Sequence, residues 1–312
     1  MDIETLVAWL EDLEVAAPEL RRWGLENLPR ARANLAAIAE AGVTLDLLAV
    51  LCDQLAESLP ACSDPDMALN NLQRFMAAAR NPLSLGALFE RDPQALPTLV
   101  QVFSTSQYMA DWLVRDPATF DLLRMTEGHP IARQVLVAEI NEEMKAARDE
   151  AMAMAILRRY KHRETLRIAY GDIVVGQEVD VVTRQISYLA DAICDAALRF
   201  AWRVLKERYG EPRTPEGNTA RLVVLGLGKL GGEELNYSSD IDLVLISESD
   251  GRTSGPKQVD NREFFERVAR LLVKLLSEST ELGAAYRVDL RLRPGGSHAP
   301  AVVPIESALQ YY

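Results

Sequence analysis

Residues Leu222 to Ile246, LVVLGLGKLGGEELNYSSDIDLVLI, decide the fold of this chain. They predict a buried strand at Leu222–Gly226, a glycine-rich turn, and a second buried strand at Asp242–Ile246. Side chains alternate across a strand, so Asp240 and Asp242 are expected to project from the same face. Two adjacent carboxylates repel each other unless a cation lies between them. The stretch therefore predicts a cation site at the start of the second strand.

The residues around this acidic pair predict phosphate chemistry. Carboxylate oxygens suit Mg²⁺, which proteins commonly hold with one or two carboxylates and substrate phosphates. Gly231 and Gly232 allow the backbone to approach a phosphate closely, or they are ordinary turn residues. Lys229 either binds phosphate or lies on the surface, and Ser239 either binds phosphate or caps a local turn. The pattern indicates metal-assisted phosphoryl or nucleotidyl transfer.

A third carboxylate lies in Tyr286–Arg293, YRVDLRLR. Read as one strand, this segment puts three polar side chains on the face opposite the core: Asp289, Arg291 and Arg293. With Asp240 and Asp242, Asp289 is predicted to be catalytic and to hold one or two Mg²⁺ ions. The two arginines are predicted to bind phosphate oxygens. The alternative is a set of strand-end acids in turns or salt bridges, but an aspartate inside an apolar strand is costly without a partner.

The order of these motifs resembles the nucleotidyltransferase superfamily of the DNA polymerase β type. The longer strings GLGKLGGEELNYSSDIDLVLISE at 226–248 and VDLRLRPGG at 288–296 resemble the glutamate–ammonia-ligase adenylyltransferase family more specifically. That family carries two nucleotidyltransferase domains in tandem. The wording ELNYSSDID is similar to that of its amino-terminal, adenylyl-removing domain.

The resemblance implies an activity and its partners. It implies Mg²⁺-dependent removal of AMP from an adenylyl-tyrosine of glutamine synthetase by phosphorolysis, giving ADP and regulating nitrogen assimilation. Glutamine synthetase would be the protein substrate, with ATP or ADP and phosphate as small molecules and the PII signal protein as a regulator. Two alternatives stay open: a forward adenylyltransferase that uses ATP, and a catalytically incomplete fragment that binds a regulatory partner. In the family the domain continues beyond the position of Tyr312, so we expect this catalytic domain to be truncated at its C-terminal end.

Composition narrows the class of protein. The net charge of −12 over 312 residues argues against nucleic acid as a partner, because such surfaces need clustered Lys and Arg. Three scattered cysteines predict neither a disulfide framework nor a zinc site. The sequence has no apolar run long enough to span a bilayer, and its acidic start is unlike a signal peptide. We expect a cytoplasmic protein without membrane contact.

The predicted fold class is α+β. In residues 1–212, apolar side chains recur at three- and four-residue spacing, which predicts a large, irregular, all-helical domain. Residues 213–312 are predicted to form a small α/β nucleotidyltransferase domain with a mixed sheet. The polar, Pro- and Gly-marked segment Glu211–Thr219 lies at this boundary, and Ser249–Lys257 is predicted to be a surface loop.

Three helical segments are important for the site. Two amphipathic helices are predicted, at Val179–Tyr209 with Gly210 as its cap, and at Arg262–Leu282 with Gly283 after it. A charged stretch, Glu139–Ala169, predicts one helix or two. It contains the densest basic cluster of the chain, RRYKHRE at 158–164, interpreted either as a solvated helix face or as a contact for a nucleotide or an acidic partner.

Overall fold

A computed structural model describes residues 1–248 and 250–312, so Ser249, the first residue of the predicted 249–257 loop, lies outside the described residues. The chain divides into two compact units. The first contains Met1–His129 and Ala169–Gln177, and the second contains Pro130–Ile168 and Glu178–Tyr312. Each unit is therefore built from two separate stretches of sequence.

The first unit is helical, and a group of phenylalanines forms part of its core. Its helices are α1 (Ile3–Glu11), α2 (Leu13–Arg22), α3 (Leu28–Glu40), α4 (Leu45–Ser58), α5 (Pro65–Ala78), α6 (Pro82–Arg91), α7 (Ala95–Thr105), α8 (Gln107–Arg115) and α9 (Thr119–Thr126). Asp64 caps α5, accepting the N–H of Met67 at 2.8 Å, with Pro65 at the first helical position. The Phe75 ring packs against Phe103 and Phe120 with centroid distances of 5.6 and 6.0 Å.

The second unit combines helices with small sheets. Its helices are α10 (Arg133–Glu143), α11 (Glu150–Ile173, whose last residues belong to the first unit), α12 (Val179–Tyr209), α13 (Gly228–Gly231), α14 (Asn261–Ser277) and α15 (Ile305–Tyr311). Its strands are β1 (Pro212–Arg213), β2 (Leu222–Leu227), β3 (Ile241–Ser247), β4 (Arg252–Thr253), β5 (Val288–Asp289) and β6 (Val302–Pro304). β1 and β4 pair with each other in a separate two-stranded sheet.

The main sheet is mixed and is arranged around β3. β2 runs antiparallel to β3, with Leu227 opposite Asp242. β5 pairs in parallel with the start of β3, and β6 pairs in parallel with its end. Side chains alternate along β3: Ile241, Leu243 and Leu245 join the hydrophobic core, while Asp242 projects from the opposite face and is half-buried. Val244 lies on the same face as Asp242 and is buried. This alternation puts Asp242 on the face away from the core helices.

The core of the second unit lies between this sheet, α12 and α14. α12 extends over 31 residues because its apolar side chains form one continuous stripe, buried along most of its length. The Trp202 ring on α12 packs against Phe264 and Phe265 on α14, with centroid distances of 5.5 and 5.9 Å. Rigid packing of this kind supports the strands that carry the carboxylates.

The predicted α+β class is confirmed: helices precede a small mixed sheet with its own helices. The predicted helix at Val179–Tyr209 and its Gly210 cap are confirmed. The prediction for α14 is wrong at its C-terminal end, because the helix ends at Ser277 and Gly283 belongs to a later turn closed by Thr280. The compact units divide near residue 130, because α10 and α12 share a core with the sheet. The domain boundary predicted at residue 212 stays a prediction. Within the described residues, the structure contains no helix both long and apolar enough to cross a membrane.

Two members of the basic cluster at 158–164, Arg158 and Lys161, have a different role from both interpretations of the sequence. Arg158 is fully buried and donates hydrogen bonds to backbone carbonyls, including those of Leu275 at 3.1 Å and Gly283 at 2.6 Å. Lys161 donates to the carbonyl of Ala285 at 2.5 Å, and its amino group lies 4.2 Å from the Tyr286 ring centroid. The last carbonyls of a helix have no partner within the helix, so Arg158 completes the end of α14.

Lys161 should make the stability of the second unit depend on pH. Burial, and then the charge of Arg158, lower the pKa of Lys161 from 10.5 to about 8. Between these values the unfolded chain binds a proton that the folded chain releases, so the free energy of unfolding should rise with pH. We expect the difference in this free energy between the wild type and Lys161→Met to grow by about 2 kcal/mol from pH 7.5 to pH 10 in urea titrations. A difference that stays constant with pH would contradict the shifted pKa.

Candidate active site

Asp242 and Asp289 meet on neighbouring strands of the main sheet. They are register partners in the parallel pair of β3 and β5. Paired residues of adjacent strands project from the same face, and such strands lie about 4.8 Å apart. Both carboxylates are half-buried. The sheet therefore brings together two of the three predicted carboxylates from positions far apart in the sequence.

Gly228 packs its backbone against the Asp242 carboxylate. Its φ is +54°, in the left-handed region that favours glycine, and a Cβ added there would lie 2.6 Å from Asp242 Oδ2. The glycine follows β2 directly and begins the single helical turn α13. Spacing within GLGKLGG does not reveal which glycine touches the carboxylate, so the role of Gly228 is visible only in the structure. A glycine required on both conformational and steric grounds marks this turn as part of the site.

Of the other predicted residues of the turn, Gly231 is closely packed, whereas Gly232 and Lys229 occupy more open positions. A Cβ on Gly231 would lie 2.6 Å from the carbonyl oxygen of Gly226, so close packing against β2 explains that glycine. Gly232 has room for a Cβ, with its nearest neighbour 3.6 Å away, and Lys229 is exposed. Phosphate contacts from these three residues stay predictions.

Ser239 closes a local turn before β3. Its hydroxyl donates to Asn236 Oδ1 at 2.6 Å, and its N–H donates to the Asn236 carbonyl at 3.2 Å. This is the local capping arrangement that the sequence left as one of two interpretations. It holds the chain immediately before Asp240 in a defined conformation.

Arginines neutralise two of the three carboxylates. Arg287 Nε donates to Asp240 Oδ1 at 2.6 Å, while Arg291 contacts both oxygens of Asp289, with Nε–Oδ1 at 3.0 Å and Nη2–Oδ2 at 2.5 Å. The hydrogen bonds from Arg291 hold the pKa of Asp289 below its usual value. Arg287 had been given no role from the sequence, although it lies in the same motif. Asp240 and Asp289 are therefore paired ions in this structure.

The predicted strand over 286–293 is wrong beyond Asp289. β5 ends there because the Asp289 side chain accepts the N–H of Arg291 at 2.8 Å and turns the chain. Arg293 does not share a strand face with Asp289. Its side chain is buried, 9% exposed, and it donates to the carbonyls of Pro300 at 2.8 Å and Ala299 at 2.6 Å. These contacts indicate a structural role for Arg293 and leave Arg291 as the exposed member of the two arginines predicted to bind phosphate.

The carboxylate pair fits Mg²⁺ in part. Within residues 1–248 and 250–312, no group of three Asp, Glu, His or Cys side chains is arranged to hold a metal ion. Asp240 and Asp289 are paired with Arg287 and Arg291 instead. Asp242 and Asp289 nevertheless provide hard oxygen ligands in register, and Mg²⁺ commonly needs one or two protein carboxylates when a phosphate supplies the rest. The donor set is therefore suited to a metal that arrives with its phosphate substrate.

Gly228→Ala tests whether the contact between Gly228 and Asp242 matters for the catalytic rate beyond its effect on folding stability. The added Cβ would collide with the Asp242 carboxylate, so we expect turnover to fall by about 100-fold, together with a stability loss of about 1 kcal/mol from the left-handed backbone. Gly217→Ala is the matched control, since Gly217 has φ +87° with nothing within 4 Å of its Cβ position. Urea titrations should show similar losses of stability in the two variants. Initial rates of the catalysed reaction should fall in Gly228→Ala alone. Equal rates in the two variants would contradict the contact.

Comparison with known proteins gives one consistent result. Residues 96–312 match the family described as glutamate-ammonia ligase adenylyltransferase. Similar proteins are named bifunctional glutamine synthetase adenylyltransferase/adenylyl-removing enzyme. The one from Thioalkalivibrio sulfidiphilus is 38% identical over 81% of this chain and 26% of its own length. Those from Shewanella loihica and Pseudomonas aeruginosa are 38% and 36% identical over 70% and 82% of this chain and 23% and 26% of their own lengths. The chain thus spans about a quarter of the length of these relatives.

Proposed function

This chain belongs to the glutamate-ammonia ligase adenylyltransferase family, and we propose that it performs the adenylyl-removing reaction of that family. In this reaction an oxygen of inorganic phosphate attacks the adenylyl phosphorus, and the bond from that phosphorus to the tyrosine oxygen of glutamine synthetase breaks. The products are ADP and the unmodified tyrosine, whose oxygen takes up the proton released by the phosphate. The observation that supports this proposal best is the Asp242–Asp289 pair beside the Gly228 turn.

The residues of the site have distinct proposed roles. Asp242 and Asp289 would hold Mg²⁺, with Asp240 as a further ligand. The metal supplies charge stabilisation at the attacking and leaving oxygens. Mg²⁺ held by these carboxylates would compete with Arg291 for Asp289, and the Arg291 guanidinium would then be available for phosphate oxygens. Lys229, Gly231, Gly232 and Ser239 are proposed to contact the nucleotide or phosphate, and Arg293 is left out because it is buried against carbonyls.

The direction of the reaction and its partners come from family resemblance. The wording ELNYSSDID, at 234–242, is similar to the adenylyl-removing domain, which favours removal over the forward transfer from ATP. Glutamine synthetase is the proposed protein substrate, and the PII signal protein is a proposed regulator. The relatives are named for both directions of the reaction, so the experiment must distinguish them.

The deciding experiment is ADP release from adenylylated glutamine synthetase with Mg²⁺ and phosphate. Phosphate-dependent ADP supports the removal reaction. AMP incorporation from ATP into unmodified glutamine synthetase would instead favour the forward transferase. Binding of ADP and Mg²⁺ without turnover would favour the catalytically incomplete fragment, and absence of binding would overturn the nucleotidyltransferase proposal for this chain.

A further inference from the structure

Glu233 has a backbone conformation that is unusual for its residue type. It follows Gly231 and Gly232 directly, and its φ is +58°, in the left-handed region. A residue with a side chain costs about 1 kcal/mol or more there, whereas glycine costs little. A third glycine would fit this position better on backbone grounds. The side chain of Glu233 therefore needs an explanation of its own.

That side chain connects the glycine-rich turn to two helices. Arg133, at the start of α10, donates from Nη2 to Glu233 Oε1. Arg184 on α12 places its Nε 3.8 Å from Glu233 Oε2. One carboxylate is thus shared between two guanidinium groups that belong to different helices.

Arg133 is itself held in place by α12. Its guanidinium lies 4.5 Å from the ring centroid of Tyr188, and its Nε lies 3.1 Å from Asp191 Oδ2. An isolated exposed ion pair contributes little, because two flexible side chains must be ordered to form it. Here the aromatic ring and the second carboxylate already restrict Arg133, so less freedom is lost when it binds Glu233.

The turn is attached to α12 at a second point. The hydroxyl of Ser187 accepts the N–H of Leu235 at 3.1 Å, and the Leu235 side chain is fully buried. Leu230, on the other side of the glycines, is also buried. The segment from Gly228 to Leu235 is therefore fixed at both ends, with the Glu233 ion pairs between them.

We propose that Arg133 and Glu233 form a positioning pair that holds the glycine-rich turn against Asp242 and so sets its affinity for nucleotide phosphates. This inference rests on the proposed function, because it assigns that turn to nucleotide binding. A turn rich in glycine loses more conformational freedom on ordering than any other. A turn already ordered by Glu233 avoids that loss when the nucleotide binds, which strengthens binding.

The variant that tests this pair is Glu233→Gly. Glycine accepts the left-handed backbone and removes the side chain that Arg133 binds, so the strain is relieved and the anchor is lost together. Glu127→Gly is the matched control, because Glu127 has φ +48° in the first unit and ends α9. Both variants relieve the same kind of strain, and only one of them releases the turn.

Calorimetric titration of ADP with Mg²⁺ is the measurement. We expect the Kd for ADP to rise about 10-fold in Glu233→Gly and in Arg133→Gln, and to stay at the wild-type value in Glu127→Gly. Amide hydrogen exchange at residues 228–235 should be faster in Glu233→Gly and unchanged in the control.

The outcomes separate this inference from the proposed function. Equal Kd values for ADP in the wild type and in Glu233→Gly would overturn the positioning role and leave the proposed function standing. A wild-type protein that binds no ADP would overturn both. Unchanged amide exchange in Glu233→Gly would show that the turn is ordered without the pair, which also rejects the inference.

Discussion

Asp242→Asn is expected to lower phosphate-dependent ADP release by about 1,000-fold or more. Asp242 is the one carboxylate of the predicted three that lies inside β3, in register with Asp289 and against the Gly228 backbone. Asparagine preserves the shape of the side chain and removes its charge. The loss should therefore reflect metal and transition-state stabilisation rather than packing.

The measurement is the initial rate of ADP release at saturating phosphate and Mg²⁺, alongside the thermal midpoint of unfolding. Glu281→Gln is a suitable control, since Glu281 is an exposed acid in the turn that follows α14. The control should keep the wild-type rate, and both variants should unfold near the wild-type temperature. A rate above one tenth of wild type in Asp242→Asn would reject the assignment of Asp242 as a metal ligand.

Arg158→Met is expected to cause the largest loss of stability, about 4 kcal/mol in the free energy of unfolding. The buried guanidinium of Arg158 donates to four backbone carbonyls, those of Met154, Leu275, Glu278 and Gly283. Methionine has a similar length and donates none of these hydrogen bonds. The carbonyls of Leu275 and Glu278 would then lose this donor, each at a cost of about 1–3 kcal/mol, whereas that of Gly283 still accepts from Thr280.

Arg159→Met is the matched control, because Arg159 is adjacent in sequence and exposed. Its substitution should change the free energy of unfolding by less than about 0.5 kcal/mol. Urea titrations of the two variants beside the wild type make the comparison. Equal effects would show that Arg158 is not the connection between α11 and the end of α14 that its contacts indicate.

Arg158 and Arg159 show which part of the fold could be predicted from the sequence and which part could not. The helix around them was predictable from periodicity, as were α12, β2 and β3, because these depend on local patterns of apolar residues. Which of two adjacent arginines faces inward depends on carbonyls at 275–283, more than one hundred residues away. A solvated face was the reasonable expectation, since arginine is rarely buried without such partners.

The site shows the same division. The site at Asp242 could be predicted from the sequence, because a carboxylate inside an apolar strand is energetically costly without a partner. The sheet does bring Asp242 beside Asp289. The role of Arg293 could not be predicted from the sequence. Side chains alternate between two faces only while the strand continues, and β5 ends at Asp289. The roles of Gly228 and Glu233 could not be predicted for a related reason, because the amino-acid sequence does not show that their φ angles are positive.

The alternation of the chain between its two compact units has an evolutionary consequence. A single recombination event near residue 212 would transfer residues 213–312 without Trp202 and Arg158, and would so uncover Phe264, Phe265 and the last carbonyls of α14. An exchange that keeps the second unit whole must carry residues 130–312, and residues 169–177 of the first unit travel with it. Gene shuffling should therefore inherit this catalytic module as one long block rather than as a short cassette.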